Sequence, residues 1–170
     1  MVYKPREDSF LLARWVRVYA SGKVLDMGCG SGVISKEAMK KTDEVVGADI
    51  DPEAVKVCQE QGINAVISDL FSNVKGRFDL IAFNPPYLPE IENESEEIAR
   101  EISGGKKGYE IIERFLKDAK DFLTENGKIL LVCSSLTGDV ASLAKKQGYR
   151  IRLLEEESYF FEKLRIYLLY

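Results

Sequence analysis

Five short apolar runs, each closed by a turn, alternate with stretches of helical spacing along the first 148 residues. This alternation restricts the chain more than any other feature. The runs are Lys23–Met27, Val45–Ala48, Asn64–Ile67, Arg77–Phe83 and Ile129–Cys133. Each is too short for a helix, and Gly or Pro punctuation bounds most of them, so they read as buried strands. Between them, apolar residues recur at helical intervals: Phe10 to Tyr19, Ile34 to Met39, Pro52 to about Gln61, Tyr109 to Leu123 and Val140 to Gln147. Glu7, Asp8 and Ser9 supply an acidic first turn to the first helix, and Pro52 suits the first turn of another. Strand–helix alternation gives a mainly parallel sheet with helices on both faces. After Gly148 the pattern changes. Arg150–Leu154 and Leu164–Leu169 follow one another with only the charged run Glu155–Ser158 and Tyr159-Phe160-Phe161 between them, which implies an antiparallel pair. No repeat or linker divides the 170 residues, so a single domain over 1–170 is expected.

In an open α/β sheet, ligands gather at the carboxyl ends of the strands. The fourth run ends in Asn84-Pro85-Pro86-Tyr87. Two successive prolines fix two φ angles and remove two donors, and the residue before them is driven to extended geometry. Asn84 is therefore held stiffly, with its Oδ1 and the Pro85 carbonyl as acceptors and the Tyr87 ring beside them. Such a set suits a flat group carrying an NH2. The plainer reading is a tight loop in which the Asn caps a turn.

The first strand turns through Gly28-Cys29-Gly30-Ser31-Gly32, where glycine lets the backbone approach a ligand. A dinucleotide fingerprint would place the third glycine one residue later. Asp26 just before the loop repels a pyrophosphate and welcomes a cation. Asp49 ends the second strand, placed for ribose hydroxyls, and Asp69-Leu70 ends the third, where a carboxylate can take an adenine amino group. Each carboxylate alone is more often a cap. The aligned set suits S-adenosylmethionine.

The totals narrow the function further. Lys and Arg number 24 against 28 Asp and Glu, a net charge of −4, which argues against autonomous binding to nucleic acid. The chain has no histidine, which removes Ser-His and Cys-His catalytic pairs and most zinc sites; no metal is expected. Three dispersed cysteines, Cys29, Cys58 and Cys133, fit a reducing compartment. The N-terminus has no apolar signal core and no run approaches membrane-spanning length, so a cytoplasmic protein is expected. Residues 88–108 combine six glutamates with Gly104-Gly105-Lys106-Lys107-Gly108, and read as a solvated, mobile stretch that could serve as a lid.

Asp26-Met-Gly-Cys-Gly-Ser-Gly, Asp49 and Asn84-Pro-Pro-Tyr together resemble the class I S-adenosylmethionine-dependent methyltransferases that act on an amino nitrogen. The head, Val2-Tyr3-x-Pro5-x-Glu7-Asp8-Ser9-Phe10-Leu11-Leu12, and the later Gly104-Gly105-x-x-Gly108 are similar to the eukaryotic and archaeal branch of the HemK-type protein glutamine N5-methyltransferases. The resemblance implies a seven-stranded sheet of order 3-2-1-4-5-7-6. It implies the glutamine of a Gly-Gly-Gln motif in a translation release factor as substrate. Ser9, Asp26, Gly28, Gly30, Asp49, Asp69 and Leu70 would hold the cofactor. Asn84 would touch cofactor and substrate, and Pro85, Pro86 and Tyr87 would hold the glutamine amide. Relatives in that branch work with a small zinc-binding activator subunit. Three other readings compete: an adenine-N6 methyltransferase of DNA or RNA, a non-catalytic S-adenosylmethionine-binding subunit, and a small-molecule N-methyltransferase.

Overall fold

The computed structural model describes residues 5–89 and 103–170. Helix α1 spans Glu7–Tyr19, β1 Val24–Met27, α2 Val33–Met39, β2 Val45–Asp49, α3 Pro52–Glu60, β3 Asn64–Ile67 and β4 Phe78–Phe83. After the undescribed stretch come α4 Glu110–Ala119, a 3-10 turn over Lys120–Phe122, β5 Leu123–Ser134, α5 Val140–Lys146, β6 Ile151–Ser158 and β7 Lys163–Leu169. The strands form one sheet in the order β3-β2-β1-β4-β5-β7-β6, as the resemblance implied. β1 pairs in parallel with β2 on one side and β4 on the other, β2 with β3, and β4 with β5. β7 runs antiparallel to both β5 and β6.

Alternation along the central strands sends side chains to two cores. On one face Leu25, Met27, Ile81, Phe83, Ile129 and Leu131 pack with Ile112, Phe115 and Leu116 of α4. On the other, Val24, Leu80, Ala82, Leu130 and Val132 pack with Leu11, Leu12 and Val16 of α1. Helices thus cover both faces, and β1 is buried along its whole length. A polar residue inside such a strand needs partners, and Asp26 is the one charged residue of β1.

The expected boundaries fail in two places. The helix read to Leu123 ends at Ala119, and β5 begins at Leu123 rather than Ile129. Phe122 and Leu123 fit a helical spacing, but tertiary packing claims them: Phe122 stacks on Phe71 with ring centroids 4.4 Å apart. The strand pairing slips between Phe78 and Leu80, whose partners are Leu123 and Lys128. Gly127 sits inside this irregularity, where a Cβ would meet the Phe78 carbonyl oxygen at 2.7 Å. It marks a bulge instead of a stop. The second failure is β6, expected to end at Leu154. The charged run Glu155–Ser158 continues it. Cross-strand ion pairs make the strand possible: Glu156 binds Lys163 and Arg165 of β7, and Glu155 and Glu157 bind Arg14 of α1. Trp15 Nε1 donates to Glu155 at 2.6 Å. Charges on this outer strand also discourage edge-to-edge association.

No helix among the described residues is long and apolar enough to cross a membrane.

Candidate active site

Strand register decides which residues meet. Met27 pairs with Ala48 on one side and Phe83 on the other, so β1 and β4 end level and β2 runs one residue further. The next residues up are Gly28, Asp49 and Asn84. The chain leaves β1 in opposite directions to β2 and β4, which makes this edge the switch point where α/β sheets bind ligands.

Asp26 is 2% exposed. Its Oδ2 accepts the Ser35 backbone N–H at 2.9 Å and the Ser35 hydroxyl at 2.6 Å, tying β1 to α2 beneath the glycine turn. Burial pushes its carboxyl up to about 7, against the lowering effect of the Ser35 bonds; the nearby Asp49 charge adds to the rise. A buried acid of this kind gains most from a cationic neighbour. The half-buried Asp49 accepts the Gly30 N–H at 2.8 Å on Oδ2 and the Asp51 N–H at 2.9 Å on Oδ1, and burial raises its pKa as well. It therefore holds the glycine turn as well as facing the ligand edge. Gly30 has φ +48°, and a Cβ there would meet nothing closer than the Gly28 carbonyl at 3.9 Å. The space above the turn is open. Cys29 reaches the other way, to Cys58 of α3: two buried free thiols 29 residues apart in sequence lie 3.5 Å apart.

Asp69 is placed differently from Asp26 and Asp49. Its Oδ2 receives Arg114 of α4 at 2.9 Å, with both side chains about half exposed. An exposed pair of this kind contributes about 0–1 kcal/mol, so it competes only weakly with a ligand. Leu70 next to it has φ +48°, strained for a side chain with a Cβ. Ser68 holds that conformation: its hydroxyl donates to the Leu70 carbonyl at 2.6 Å and accepts the Asn73 N–H at 2.9 Å. Strain kept by a built loop marks functional backbone.

Asn84 has one end of its amide engaged. Nδ2 donates to Ser9 Oγ at 3.4 Å, while Oδ1 is buried with no partner among the described residues. Ser9 donates its own N–H to Asp8 Oδ1 at 2.6 Å and its hydroxyl to the same oxygen at 3.2 Å. Asp8 Oδ2 accepts the Tyr87 hydroxyl at 3.1 Å. Ser9 and Asn84, singled out from sequence, thus meet, and Asp8 completes a chain from Asn84 to Tyr87. Asp8 is legible in the sequence as a first-turn acid and as part of the head motif, but its bond to Tyr87 spans 79 residues and no spacing signals it.

The stretch expected to be mobile includes Gly104 and Gly108, and its residues 90–102 lie outside the described residues. Residues 103–108 instead mould the Asn-Pro-Pro-Tyr loop. Ser103 bridges Leu88, and the Gly104 N–H donates to the Leu88 carbonyl at 2.8 Å. A Cβ on Gly104 would lie 2.7 Å from the Pro86 carbonyl oxygen, and one on Gly108 would lie 2.9 Å from that of Tyr87. These glycines are there so that two backbones can touch.

The residues present fit S-adenosylmethionine: open space over a glycine turn, a buried acid beneath it, a second acid on the neighbouring strand, and an orphaned acceptor across the switch point. Asp26 offers a direct check. Its raised pKa means that the folded state holds a proton the unfolded chain has already lost between about pH 4 and 7, so folding stability falls as pH rises through that window and the cost is complete above about 7. Asp26→Asn should therefore raise the melting temperature relative to wild type at pH 8, by on the order of 5 °C, and much less at pH 5. If Asp26 holds the cationic cofactor as expected from sequence, cofactor binding should strengthen as pH rises through 7 in the wild type and not in this variant. Melting curves and titration calorimetry at the two pH values read both effects; equal melting shifts at both would contradict the assignment.

The strand order places the chain in the Rossmann-like methyltransferase class. The Mtq2 chain of the E. cuniculi Mtq2–Trm112 complex, responsible for methylation of the eRF1 translation termination factor, superposes with a TM-score of 0.80 over 99% of this chain and 97% of its own, at 28% identity. A methyltransferase from Bacteroides fragilis, solved with S-adenosyl-L-homocysteine, shares the fold at 22% identity, with a TM-score of 0.67 over 97% of this chain and 81% of its own. The chain belongs to the methyltransferase small domain family, whose model matches residues 7–160. Its relatives narrow the branch. A Methanocaldococcus jannaschii protein provisionally named as a protein N5-glutamine methyltransferase is 38% identical over 97% of this chain and 89% of its own length. Mouse methyltransferase HEMK2 is 33% identical over 77% of this chain and 71% of its own. The release factor glutamine methyltransferase of Aquifex aeolicus is 30% identical over 94% of this chain, which spans only 64% of that protein's length.

Proposed function

We propose that this chain acts as a single-domain S-adenosylmethionine-dependent N-methyltransferase whose acceptor is the glutamine side-chain amide of a Gly-Gly-Gln motif in a translation release factor, in the cytoplasm. The observation that carries the reading is the buried, unpartnered Asn84 Oδ1 at the switch point. A primary carboxamide supplies the N–H that this oxygen lacks. The names of the relatives point to the same acceptor.

Bound S-adenosylmethionine supplies an electrophilic methyl group on a sulfonium. Asp26, Asp49, Gly28, Gly30, Ser9, Asp69 and Leu70 are the residues that would hold it. A carboxamide nitrogen is a poor nucleophile because its lone pair is delocalised into the carbonyl. Asn84 Oδ1 accepts one substrate N–H and the Pro85 carbonyl the other, which aims the nitrogen and favours its pyramidal form. Pro86 keeps the loop stiff. Tyr87, fixed by Asp8, covers the amide plane. No strong base is needed before attack; the nitrogen loses its proton as or after the methyl transfers, in keeping with a chain that has no histidine. The complex formed by Mtq2 with Trm112 supports a small activator subunit here too, and the zinc-binding kind is part of this proposal.

A second reading, methylation of adenine N6, has one observation in its favour: a Haemophilus influenzae tRNA1(Val) (adenine(37)-N6)-methyltransferase is 31% identical over 74% of this chain and 59% of its own length. The net charge of −4 opposes it. Mass spectrometry of purified release factor and of tRNA, each incubated with this protein and labelled methyl donor, separates the two. A single added methyl on the Gly-Gly-Gln glutamine is expected. Label in tRNA alone would transfer the assignment to the second reading.

A further inference from the structure

The hairpin joining β6 and β7 ends in Tyr159-Phe160-Phe161-Glu162, closed by the Tyr159 N–H donating to the Glu162 carbonyl at 2.8 Å. Phe160 is 91% exposed and Phe161 84%. Their rings meet edge-on at 4.4 Å. Turn tips are ordinarily polar, and two adjacent phenyl rings left in water add almost nothing to the stability of the fold. Register fixes where they stand. Phe83 pairs with Leu131, and Leu131 with Tyr167, so Tyr167 is level with the strand end that presents Asn84. β5 then continues to Ser134, opposite Leu164. The tip therefore rises on the same sheet edge as Asn84, on the order of 15 Å beyond it. It lies on the β5 side, away from the glycine turn and Asp49.

A shallow concavity lined by Glu7, Phe10, Arg14, Arg17, Glu37, Glu157 and Tyr159 lies between the base of the hairpin and α1. Asp8 and Ser9, the next residues of that helix, bind Tyr87 and Asn84. Phe10 is itself 57% exposed. Charges around the tip are of both signs, with Glu157 and Glu162 against Lys163 and Arg165, so neither an anionic membrane nor a phosphate backbone is matched.

We propose that Phe160 and Phe161, with Phe10, form a docking surface for the folded body of the protein substrate, apart from the loop that carries the acceptor glutamine. The proposal rests on the protein-glutamine reading above and deepens it. An amide group is the same on every glutamine, so the choice of one must come from contacts remote from the reacting atom. Exposed aromatic side chains on the substrate-facing half of the active edge are what such recognition uses.

The test compares two acceptors, the intact release factor domain and a short synthetic peptide of its Gly-Gly-Gln loop, with the enzyme carrying whatever small subunit co-purifies with it. The double variant Phe160→Ser/Phe161→Ser should lose tenfold or more in kcat/KM on the protein acceptor, mainly through KM, with the peptide reaction and cofactor affinity unchanged. Unchanged kinetics on the protein overturn the proposal. Equal loss on both acceptors overturns it too, since the tip would then be acting through the fold. Light scattering that shows a wild-type dimer reduced to monomers in the variant would assign the tip to a second copy and overturn it as well. If wild type transferred methyl to neither acceptor, the functional reading itself would fall, and the docking proposal with it.

Discussion

Asn84→Ala should lower kcat by about 10²–10³-fold, the usual cost of losing one preorganised polar partner of the reacting group, while cofactor affinity changes little. Asn84 Oδ1 has no partner among the described residues, and Asn84 directly follows the last residue of β4. Under the proposed mechanism, removing it deletes an interaction that forms only when an amide arrives. The expected effect on stability has an unusual sign. A buried acceptor without a partner costs about 1–3 kcal/mol, and alanine relieves that cost while giving up only the 3.4 Å contact from Nδ2 to Ser9. The inactive variant should therefore melt no lower than wild type. Asn84→Asp should be equally inactive, because its carboxylate has no N–H for Ser9 and adds a charge at the edge that already holds Asp26 and Asp49. Single-turnover transfer, calorimetric cofactor binding and thermal melts of the three proteins read all of this. Turnover near the wild-type value in Asn84→Ala would end the assignment, as would a loss of cofactor affinity as large as the loss of rate.

Gly104→Ala should be nearly as damaging to the reaction, although Gly104 is not among the residues proposed to hold cofactor or substrate. A Cβ there would lie 2.1 Å from the Gly108 carbonyl oxygen and 2.7 Å from that of Pro86. Both are backbone atoms, so one strand of the loop must move. Movement carries the Asn-Pro-Pro-Tyr segment with it, and a displacement near 1 Å in a positioned site costs about 100-fold in rate. Overpacking of this kind also costs about 1–3 kcal/mol of stability. Gly62→Ala supplies the comparison. Gly62 has φ +79° with nothing within 4 Å of its would-be Cβ, in the turn between α3 and β3. It should lose stability and keep its rate. Rates taken well below both melting temperatures separate misplacement from unfolding. Parallel behaviour of the two variants would show that Gly104 serves the fold alone.

The contrast between these glycines bears on what could be read in advance. Gly28 and Gly30 were legible, because a glycine turn after a strand has a local meaning. Gly104 was not. It reads as part of a polar loop until the Pro86 carbonyl is found beside it. Asp69 was legible by its place just beyond a strand, whereas its ion pair with Arg114 of α4 was not, a pairing across 45 residues that no periodicity encodes. The end of α4 was misplaced for a related reason. Phe122-Leu123 satisfies both helical and strand patterns, and the choice fell to the stacking of Phe122 on Phe71. Charges in β6 were mistaken for a connection because their partners, Arg14 and Arg165, lie on other elements.

The alternation of short apolar runs with helical spacing determined by itself a mainly parallel sheet, its antiparallel end and the strand termini at which a ligand site must lie. It did so because burial of apolar faces is a local, periodic demand. Only the tertiary structure decided that Asp8 links Tyr87 to Ser9 and Asn84, that Gly104 and Gly108 press on the proline loop, and that Phe160 and Phe161 stand above the same edge. Those relations are set by strand register and by close contact between distant segments, and hydrogen bonds and excluded volume leave no trace in the spacing of residues along the chain.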